Sequence, residues 1–290
     1  MVYYYAIRKR GKTEGGGSMA FKNIIDLHIH TDSSFDGHHS AMFLCESAES
    51  SGLRALAFTD HIEIDRYMQD RFDVTARDSY FHAANARSAF SGKLIVGIGV
   101  ELGQPVYDTQ TAEKLLSLFN YDLVIGSVHN LRGMKDFCDL DYETEGADYE
   151  KLLDEYFDEE LVLAKWNGFD TLGHLTYPLR YIIGECKKPV DLKKYSDKID
   201  AILKTVAENG KALEINTSGL RQPYGVTMPE PAVVKRFREL GGEFVTVGSD
   251  AHYANDLGAG IEEGMKIAKE AGFSCISLFK SRMATPVPIE

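Results

Sequence analysis

Short apolar runs alternate with longer amphipathic segments from residue 23 to the end of the chain, and this alternation constrains the fold more than any other feature. Two amphipathic segments, 197–210 and 230–242, end in glycine, which commonly terminates a helix. Strands that are apolar throughout and alternate with crossover helices indicate a parallel sheet. FSCISLF is a weak strand candidate, and seven runs are convincing ones: NIIDLHIH, RALAFTDH, KLIVGIGVEL, YDLVIGSVH, FDTLGHLTY, KALEINTSG and EFVTVGSDAH.

The number of these βα units favours a closed α/β barrel over an open sheet. No linker interrupts the alternation, so we expect residues 19–290 to form a single domain. Residues 1–18 end in GGGS just before Met19. We interpret them as a flexible N-terminal extension or a remnant of expression.

Polar residues with metal-binding or acid-base chemistry cluster at one end of each apolar run. In a parallel α/β barrel the carboxyl ends of the strands meet on one face, so residues far apart in sequence converge on a single site. The strand-end residues are His28, His30, Asp60, His61, Glu101, His129, His174, Glu214, Asn216, Asp250 and His252.

Six of the nine histidines belong to this strand-end set, which favours a metal centre. In His28-Ile-His30 the two imidazoles share one face, because side chains on a strand repeat every second residue. One such pair is only a modest signal for a metal site, since a buried histidine often has no role beyond forming a hydrogen bond. Together with Glu101, Asp250 and Asp36, the histidines form a mixed nitrogen and oxygen ligand set suited to Zn, Fe or Mn. We therefore predict a site for two or three divalent ions.

Composition excludes several other classes of function. A net charge of −12 without a Lys/Arg cluster argues against a nucleic-acid partner. No apolar stretch approaches the about 18 residues of a membrane span, and four scattered cysteines without a C-x-x-C pair are typical of a reducing cytoplasm. Neither a G-x-S-x-G elbow nor a Walker or dinucleotide glycine pattern is present. We expect a cytoplasmic enzyme with no membrane partner; its oligomeric state stays open.

Several of these motifs, in this order, resemble the polymerase and histidinol phosphatase (PHP) superfamily of metal-dependent phosphoesterases. The segment EINTSGLRQPYG and the chain length are similar to its stand-alone histidinol-phosphatase branch. The resemblance extends from about residue 23 to residue 253. The motifs are DLHIHTDSSFDG, FTDH, GVEL, GSVHN, GHLTYP and GSDAH.

The resemblance implies a distorted (β/α)7 TIM-like barrel with up to three ions at the C-terminal ends of the strands. Asp36 stands where many relatives have histidine, which bears on the metal preference of the third site. Thr176 stands where relatives often have an acidic residue, which bears on the substrate. By motif, the implied ligands are His28, His30, Glu101 and Asp250 for one ion, Glu101, His129 and His174 for the second, and Asp36, His61 and His252 for the third.

The function implied is hydrolysis of a small phosphate ester, with L-histidinol phosphate in histidine biosynthesis as the leading substrate. Asp36, His39 and His252 are unranked candidates for the acid that protonates the leaving group. Arg180 and Arg221 are expected to bind the phosphate. The alternatives are a nucleotide or sugar phosphate as substrate, a metal-binding module without turnover, and a metallo-amidohydrolase, for which a carboxylated lysine is not evident.

Overall fold

The computed structural model describes residues 21–142 and 148–290. The expectation for residues 1–18 lies outside these ranges. Strands and helices alternate as the sequence predicts. The helices are α1 Ala41–Ser51, α2 Phe72–Ala89, α3 Thr109–Leu118, α4 Tyr149–Trp166, α5 Ser196–Glu208, α6 Pro231–Glu239 and α7 Ile261–Glu270. The strands are β1 Ile25–Ile29, β2 Ala55–Phe58, β3 His61–Glu63, β4 Ile95–Gly103, β5 Leu123–Ser127, β6 Thr171–Leu172, β7 Ala212–Asn216, β8 Phe244–Gly248, β9 Cys275–Lys280 and β10 Met283–Pro288.

Eight of the strands form one parallel sheet in the order β1-β2-β4-β5-β6-β7-β8, with the short strand β3 paired to the far end of β4. The sheet is nearly closed where β1 meets β8. There Ile29 forms an isolated parallel bridge with Ala251, and the Asp250 amide donates to the His28 carbonyl at 2.8 Å. Because β3 only extends the sheet beside β4, the barrel wall has seven strands, and the expected distorted seven-stranded barrel is confirmed.

Burial explains why these runs form strands. Every residue of β1, β2, β5 and β7 is buried, as expected for strands covered by helices on the outside and by side chains on the inside. Strand β6 has only two residues and is the shortest of the described strands. The chain after β6 turns instead toward the site, through a π-helical segment at Arg180–Glu185. Such segments often occur next to functional sites.

The weak strand candidate FSCISLF forms β9, but it lies outside the barrel. It pairs with β10 in an antiparallel hairpin, whose turn residues Ser281 and Arg282 both have positive φ. The two turn amides donate to Asp122, and the Arg282 guanidinium contacts the Asp170 carboxylate at 3.0 Å. Because Asp122 and Asp170 immediately precede β5 and β6, the hairpin is anchored at the amino ends of these strands, opposite the predicted site. Within the described ranges, no helix is both long enough and apolar enough to cross a bilayer.

Candidate metal centre

The strand-end residues converge on a cavity of about 290 Å³ at the carboxyl ends of the barrel strands. The sheet register explains part of this convergence. In the β3–β4 pair, His61 lies opposite Glu101, so both side chains reach the same layer. The predicted residues among those lining the cavity are Asp36, His61, Glu101, His129, His174, Arg180, Asp250 and His252.

Glu101 is the centre of the cluster, because each of its oxygens faces a different group of histidines. Its Oε2 lies 2.9 Å from His61 Nδ1 and 3.2 Å from His28 Nε2. Its Oε1 lies 2.7 Å from His174 Nε2 and 3.1 Å from His129 Nε2. The two imidazole nitrogens on this side are themselves 3.3 Å apart. One fully buried carboxylate thus joins four imidazoles that come from four different strand ends.

Asp250 and His30 complete the side of the cluster nearest the closure of the barrel. Asp250 Oδ1 lies 3.3 Å from His30 Nε2 and 3.8 Å from His28 Nε2. Asp250 has a left-handed backbone conformation, with φ of 55°, which is uncommon for a residue other than glycine. Three sets of ligand atoms are close enough to share an ion: His28, His30 and Asp250; His61, Glu101 and His129; and His30, His61 and His252.

Buried polar atoms in this cluster lack hydrogen-bond partners of ordinary geometry, which is the observation that tests whether metal ions fit. They include His28 Nε2, His30 Nε2, His61 Nδ1 and Glu101 Oε2; His61 and Glu101 line the cavity, and both His28 Nε2 and His30 Nε2 lie within 4 Å of Glu101 Oε2. Leaving such atoms unpaired in a protein interior is costly, so buried polar groups are normally satisfied. Neutral imidazoles and carboxylates are the donors that Zn, Fe and Mn prefer. The residues therefore fit divalent ions.

The electrostatics of Glu101 and His30 agree with this fit. Burial alone would raise the pKa of Glu101, but His28, His61 and His129 outweigh it and hold that pKa well below its ordinary value. Burial, together with the neighbouring His61 and His252, lowers the pKa of His30 to about 3. Glu101 is thus ionised and His30 neutral at physiological pH. These are the protonation states in which both can bind a cation. Nearby carboxylates outweigh burial and raise the pKa of His28, His61 and His129 well above the ordinary value, so these three imidazoles release a proton when they bind an ion.

Two of the histidines are oriented by carboxylates on the side away from the cavity. His28 Nδ1 lies 2.6 Å from Glu214 Oε1, and His129 Nδ1 lies 3.0 Å from Glu63 Oε1. A carboxylate at Nδ1 keeps a proton on that nitrogen, which leaves Nε2, the nitrogen facing Glu101, as the one that would bind an ion.

Asp36 and His252 form the outer, more accessible part of the site. Asp36 Oδ2 lies 3.1 Å from His252 Nε2 and 3.6 Å from His61 Nε2. These two contacts outweigh burial and lower the pKa of Asp36. His39 is not brought into the site. It is exposed, with its ring near Phe43 and Tyr253, and it does not line the cavity.

The two predicted phosphate-binding arginines lie in different environments. The Arg180 guanidinium lines the cavity, about 5 Å above the rings of Tyr177 and Tyr181. The Arg221 guanidinium instead donates to the backbone carbonyls of Ser249 at 2.7 Å and Asp250 at 2.9 Å. In this conformation Arg221 supports the unusual backbone at Asp250 and does not line the cavity.

Sequence reasoning missed Glu63, although a signal for it was present. The sequence predicts RALAFTDH as one strand ending at His61, whereas in the structure a separate short strand, β3, begins at His61 and continues to Glu63. Residues two apart on a strand share a face, so Glu63 was a candidate from spacing alone. Gln104, which contacts both Glu63 and His129, was missed too, and glutamine at a strand end carries no comparable signal.

The chain is similar along most of its length to proteins named as phosphatases. A protein of Deinococcus radiodurans named Probable histidinol-phosphatase is 30% identical, and the match covers 91% of this chain and 99% of that protein. The Histidinol-phosphatase of Lactococcus lactis subsp. lactis is 26% identical, with 88% and 94% covered. A crystal structure of histidinol phosphate phosphatase from Lactococcus lactis, complexed with zinc, L-histidinol and phosphate, has the same fold. Its TM-score is 0.73 at 23% identity, with 91% of this chain and 99% of that chain covered.

The family assignment follows from the extent of these matches. The PHP domain family matches residues 26–218, which include the strand-end residues from His28 to Asn216. Given that match and the 30% identity along nearly the full Deinococcus protein, this chain belongs to the PHP domain family.

Proposed function

We propose that this protein is a metal-dependent phosphomonoesterase that hydrolyses L-histidinol phosphate to L-histidinol and phosphate. The observation that carries the chemistry is the convergence of buried imidazoles and carboxylates on Glu101 at the base of an open cavity. The substrate is supported by the histidinol-phosphatases that the chain resembles over most of its length.

The proposed ligand sets are those that the family motifs imply, and the observed groupings support them in part. His28, His30 and Asp250 lie together, as do Glu101 and His129. Near the second set, His61 lies 2.9 Å from Glu101 and His174 lies 2.7 Å from it. Near the third set, His30 joins His61 and His252. When bound, divalent ions at such sites lower the pKa of water to near neutrality and neutralise charge on phosphoryl oxygens.

We further propose that His252 supplies the proton that the leaving alkoxide requires, with the ionised Asp36 carboxylate holding that proton on Nε2. His252 Nδ1 lies 3.0 Å from the Asp250 carbonyl, which fixes the ring, while its Nε2 faces Asp36. Both side chains line the cavity and are partly exposed, so a proton taken up from solvent can reach the substrate. His39 is not proposed for this role, because its ring lies outside the cavity.

Arg180→Ala is expected to raise the KM for phosphate monoesters by about 10- to 100-fold, with a smaller change in kcat. A charged hydrogen bond contributes about 1.5–3 kcal/mol, and each 1.4 kcal/mol is tenfold in affinity. The Arg180 guanidinium forms a long ion pair with Asp250, at 3.9 Å, and no side-chain hydrogen bond to the described part of the chain, so its donors are available to a ligand. Steady-state kinetics with L-histidinol phosphate check this. An unchanged KM would remove Arg180 from the phosphate site.

Arg221→Ala distinguishes two roles for the second arginine. If Arg221 binds phosphate, KM rises while the metal content stays at the wild-type value. If it acts only through the Ser249 and Asp250 carbonyls, metal content falls, because Asp250 loses its backbone support. Kinetics and metal analysis of the same preparation separate the two.

Phosphate release from a substrate panel tests the proposed function as a whole. L-histidinol phosphate, a nucleoside monophosphate and a sugar phosphate are compared at equal concentration, with Zn, Mn or Fe added to ion-free protein. We expect a strong preference for L-histidinol phosphate. Preference for another monoester would retain the phosphoesterase and reject the substrate, and bound metal without turnover would favour a binding module.

A further inference from the structure

Behind His129 lies a buried polar network that the proposed reaction does not use directly. Glu63, at the end of β3, is 2% exposed. Its Oε1 lies 3.0 Å from His129 Nδ1 and 3.4 Å from His61 Nδ1. Its Oε2 accepts a hydrogen bond from Gln104 Nε2 at 2.9 Å. Glu63 is thus held on one side by a glutamine and contacts two imidazoles on the other.

The Gln104 carboxamide connects the Glu63 carboxylate to the backbone of His129. Its Oε1 accepts the backbone amide of His129 at 3.0 Å, and its Nε2 donates to Glu63 and to Asn130 Oδ1. Gln104 is fully buried, and its backbone is left-handed with φ of 46°. That conformation costs a residue other than glycine roughly 1–2 kcal/mol. The hydrogen bonds of the side chain account for a glutamine at a position where glycine would be easier.

The space that Glu63 occupies depends on the residue before Gln104. A Cβ atom added at Gly103 would lie 2.0 Å from Glu63 Oε2, so only glycine allows the carboxylate to reach this position. Glu63 pairs directly with Gly103 in the β3–β4 register. The Glu63 carboxylate therefore packs against the β4 backbone at Gly103 and is hydrogen-bonded by the Gln104 side chain.

We propose that Glu63 and Gln104 are positioning residues that fix the ring and the tautomer of His129. The Glu63 carboxylate accepts a hydrogen bond from His129 Nδ1, which leaves Nε2, 3.1 Å from Glu101 Oε1, as the ring nitrogen that would bind an ion. Gln104 holds both the carboxylate and the His129 backbone, so ring and main chain are oriented by one side chain. Carboxylates that orient a metal-binding imidazole in this way contribute about 10- to 100-fold to metal affinity.

This inference rests on the proposed metal centre, and its test measures metal affinity rather than turnover. Zinc dissociation constants are determined by chelator competition for the wild-type protein and for Glu63→Gln. We expect one class of site in the variant to bind zinc about 10- to 100-fold more weakly, with the others unchanged. In zinc-loaded protein, ¹⁵N NMR of His129 should show its proton on Nδ1 in the wild type and a mixture of tautomers in the variant.

Gln104→Gly is a second variant that guards against misfolding, because glycine adopts the observed backbone conformation without strain. It removes the whole side chain, including the carboxamide, and zinc affinity should fall as in Glu63→Gln. Asp65→Asn is the matched control. It removes one negative charge at the outer end of the network, where Asp65 lies 3.2 Å from Asn130 Nδ2 and 3.4 Å from Gln104 Nε2 but contacts neither Glu63 nor His129. Gln104 keeps its hydrogen bonds to Glu63 and to the His129 amide in this variant. Its zinc affinity should stay within about twofold of the wild type.

The outcomes separate this inference from the proposed function. Equal zinc affinity in wild type, Glu63→Gln and Gln104→Gly would overturn the positioning role and leave the metal centre intact. An equal loss in Asp65→Asn would also overturn it, since charge rather than contact would then be responsible. A wild-type protein that binds no zinc, manganese or iron would overturn both.

Discussion

Glu101→Gln is expected to lower kcat/KM for L-histidinol phosphate by about 10³-fold or more, or about 4 kcal/mol of transition-state stabilisation. The substitution keeps the shape of the side chain but removes its charge and one acceptor oxygen. Glu101 contacts His28 and His61 through one oxygen and His129 and His174 through the other. Glu63 contacts only His61 and His129, and no carboxylate in the described ranges other than Glu101 contacts all four of these imidazoles, so the two proposed ion sites lose their shared ligand together.

Metal analysis and kinetics on the same preparation check this prediction. The variant should retain fewer ions per chain than the wild type after dialysis, and circular dichroism should report the same fold. Glu155→Gln is a matched control, because Glu155 lies on the exposed side of α4 and, among the residues that the structure describes, forms an ion pair only with Lys151, at 3.6 Å. It should behave as the wild type. Full metal content with undiminished turnover in Glu101→Gln would contradict the bridging role.

The barrel and the inner part of the candidate site could be predicted from the sequence for one physical reason. Parallel strands alternating with helices bring their carboxyl ends to one face, so strand-end chemistry converges without knowledge of any contact. His28 and Asp250 are 222 positions apart, yet their side chains lie 3.8 Å apart. The residues that depend only on this rule are the ones that the structure brings together.

Features that depend on individual side-chain conformations could not be predicted. His39 is close to the first motif in sequence, but its loop directs the ring toward Tyr253 on the surface. Arg221 follows a strand-end motif, yet its guanidinium donates hydrogen bonds to backbone carbonyls and not into the cavity. The position of a residue after a strand predicts that it lies near the site, but its hydrogen-bonding and packing partners determine whether the side chain points into the site.

Glu160 is a buried acid outside the candidate site, and the sequence did not single it out. It lies on the inner face of α4, between Phe157 and Leu163, and is fully buried. Neither carboxylate oxygen has a hydrogen-bond partner of ordinary geometry, although the Tyr156 hydroxyl lies nearby. Burial raises the pKa of Glu160 from 4.5 to about 8. Glu160 is therefore protonated in the folded protein at neutral pH.

This raised pKa makes folding stability depend on pH in a definite direction. Between pH 4.5 and about 8 the folded state holds a proton on Glu160 that the unfolded state has released. The free energy of unfolding therefore falls as pH rises, by about 1.4 kcal/mol per pH unit from this one group. Below this window the group makes no difference, and above it the loss is complete.

Glu160→Gln should remove this dependence, because glutamine has the same shape and stays neutral. Other titrating groups, including the histidines of the cluster, contribute equally to both proteins and cancel in the difference. We expect the variant and the wild type to have similar free energies of unfolding near pH 5. By pH 8 the variant should be more stable by roughly 3–4 kcal/mol. Urea denaturation at several pH values, with equal metal content in both proteins, measures this difference. Parallel stability curves would mean that Glu160 keeps an ordinary pKa in its buried position on α4.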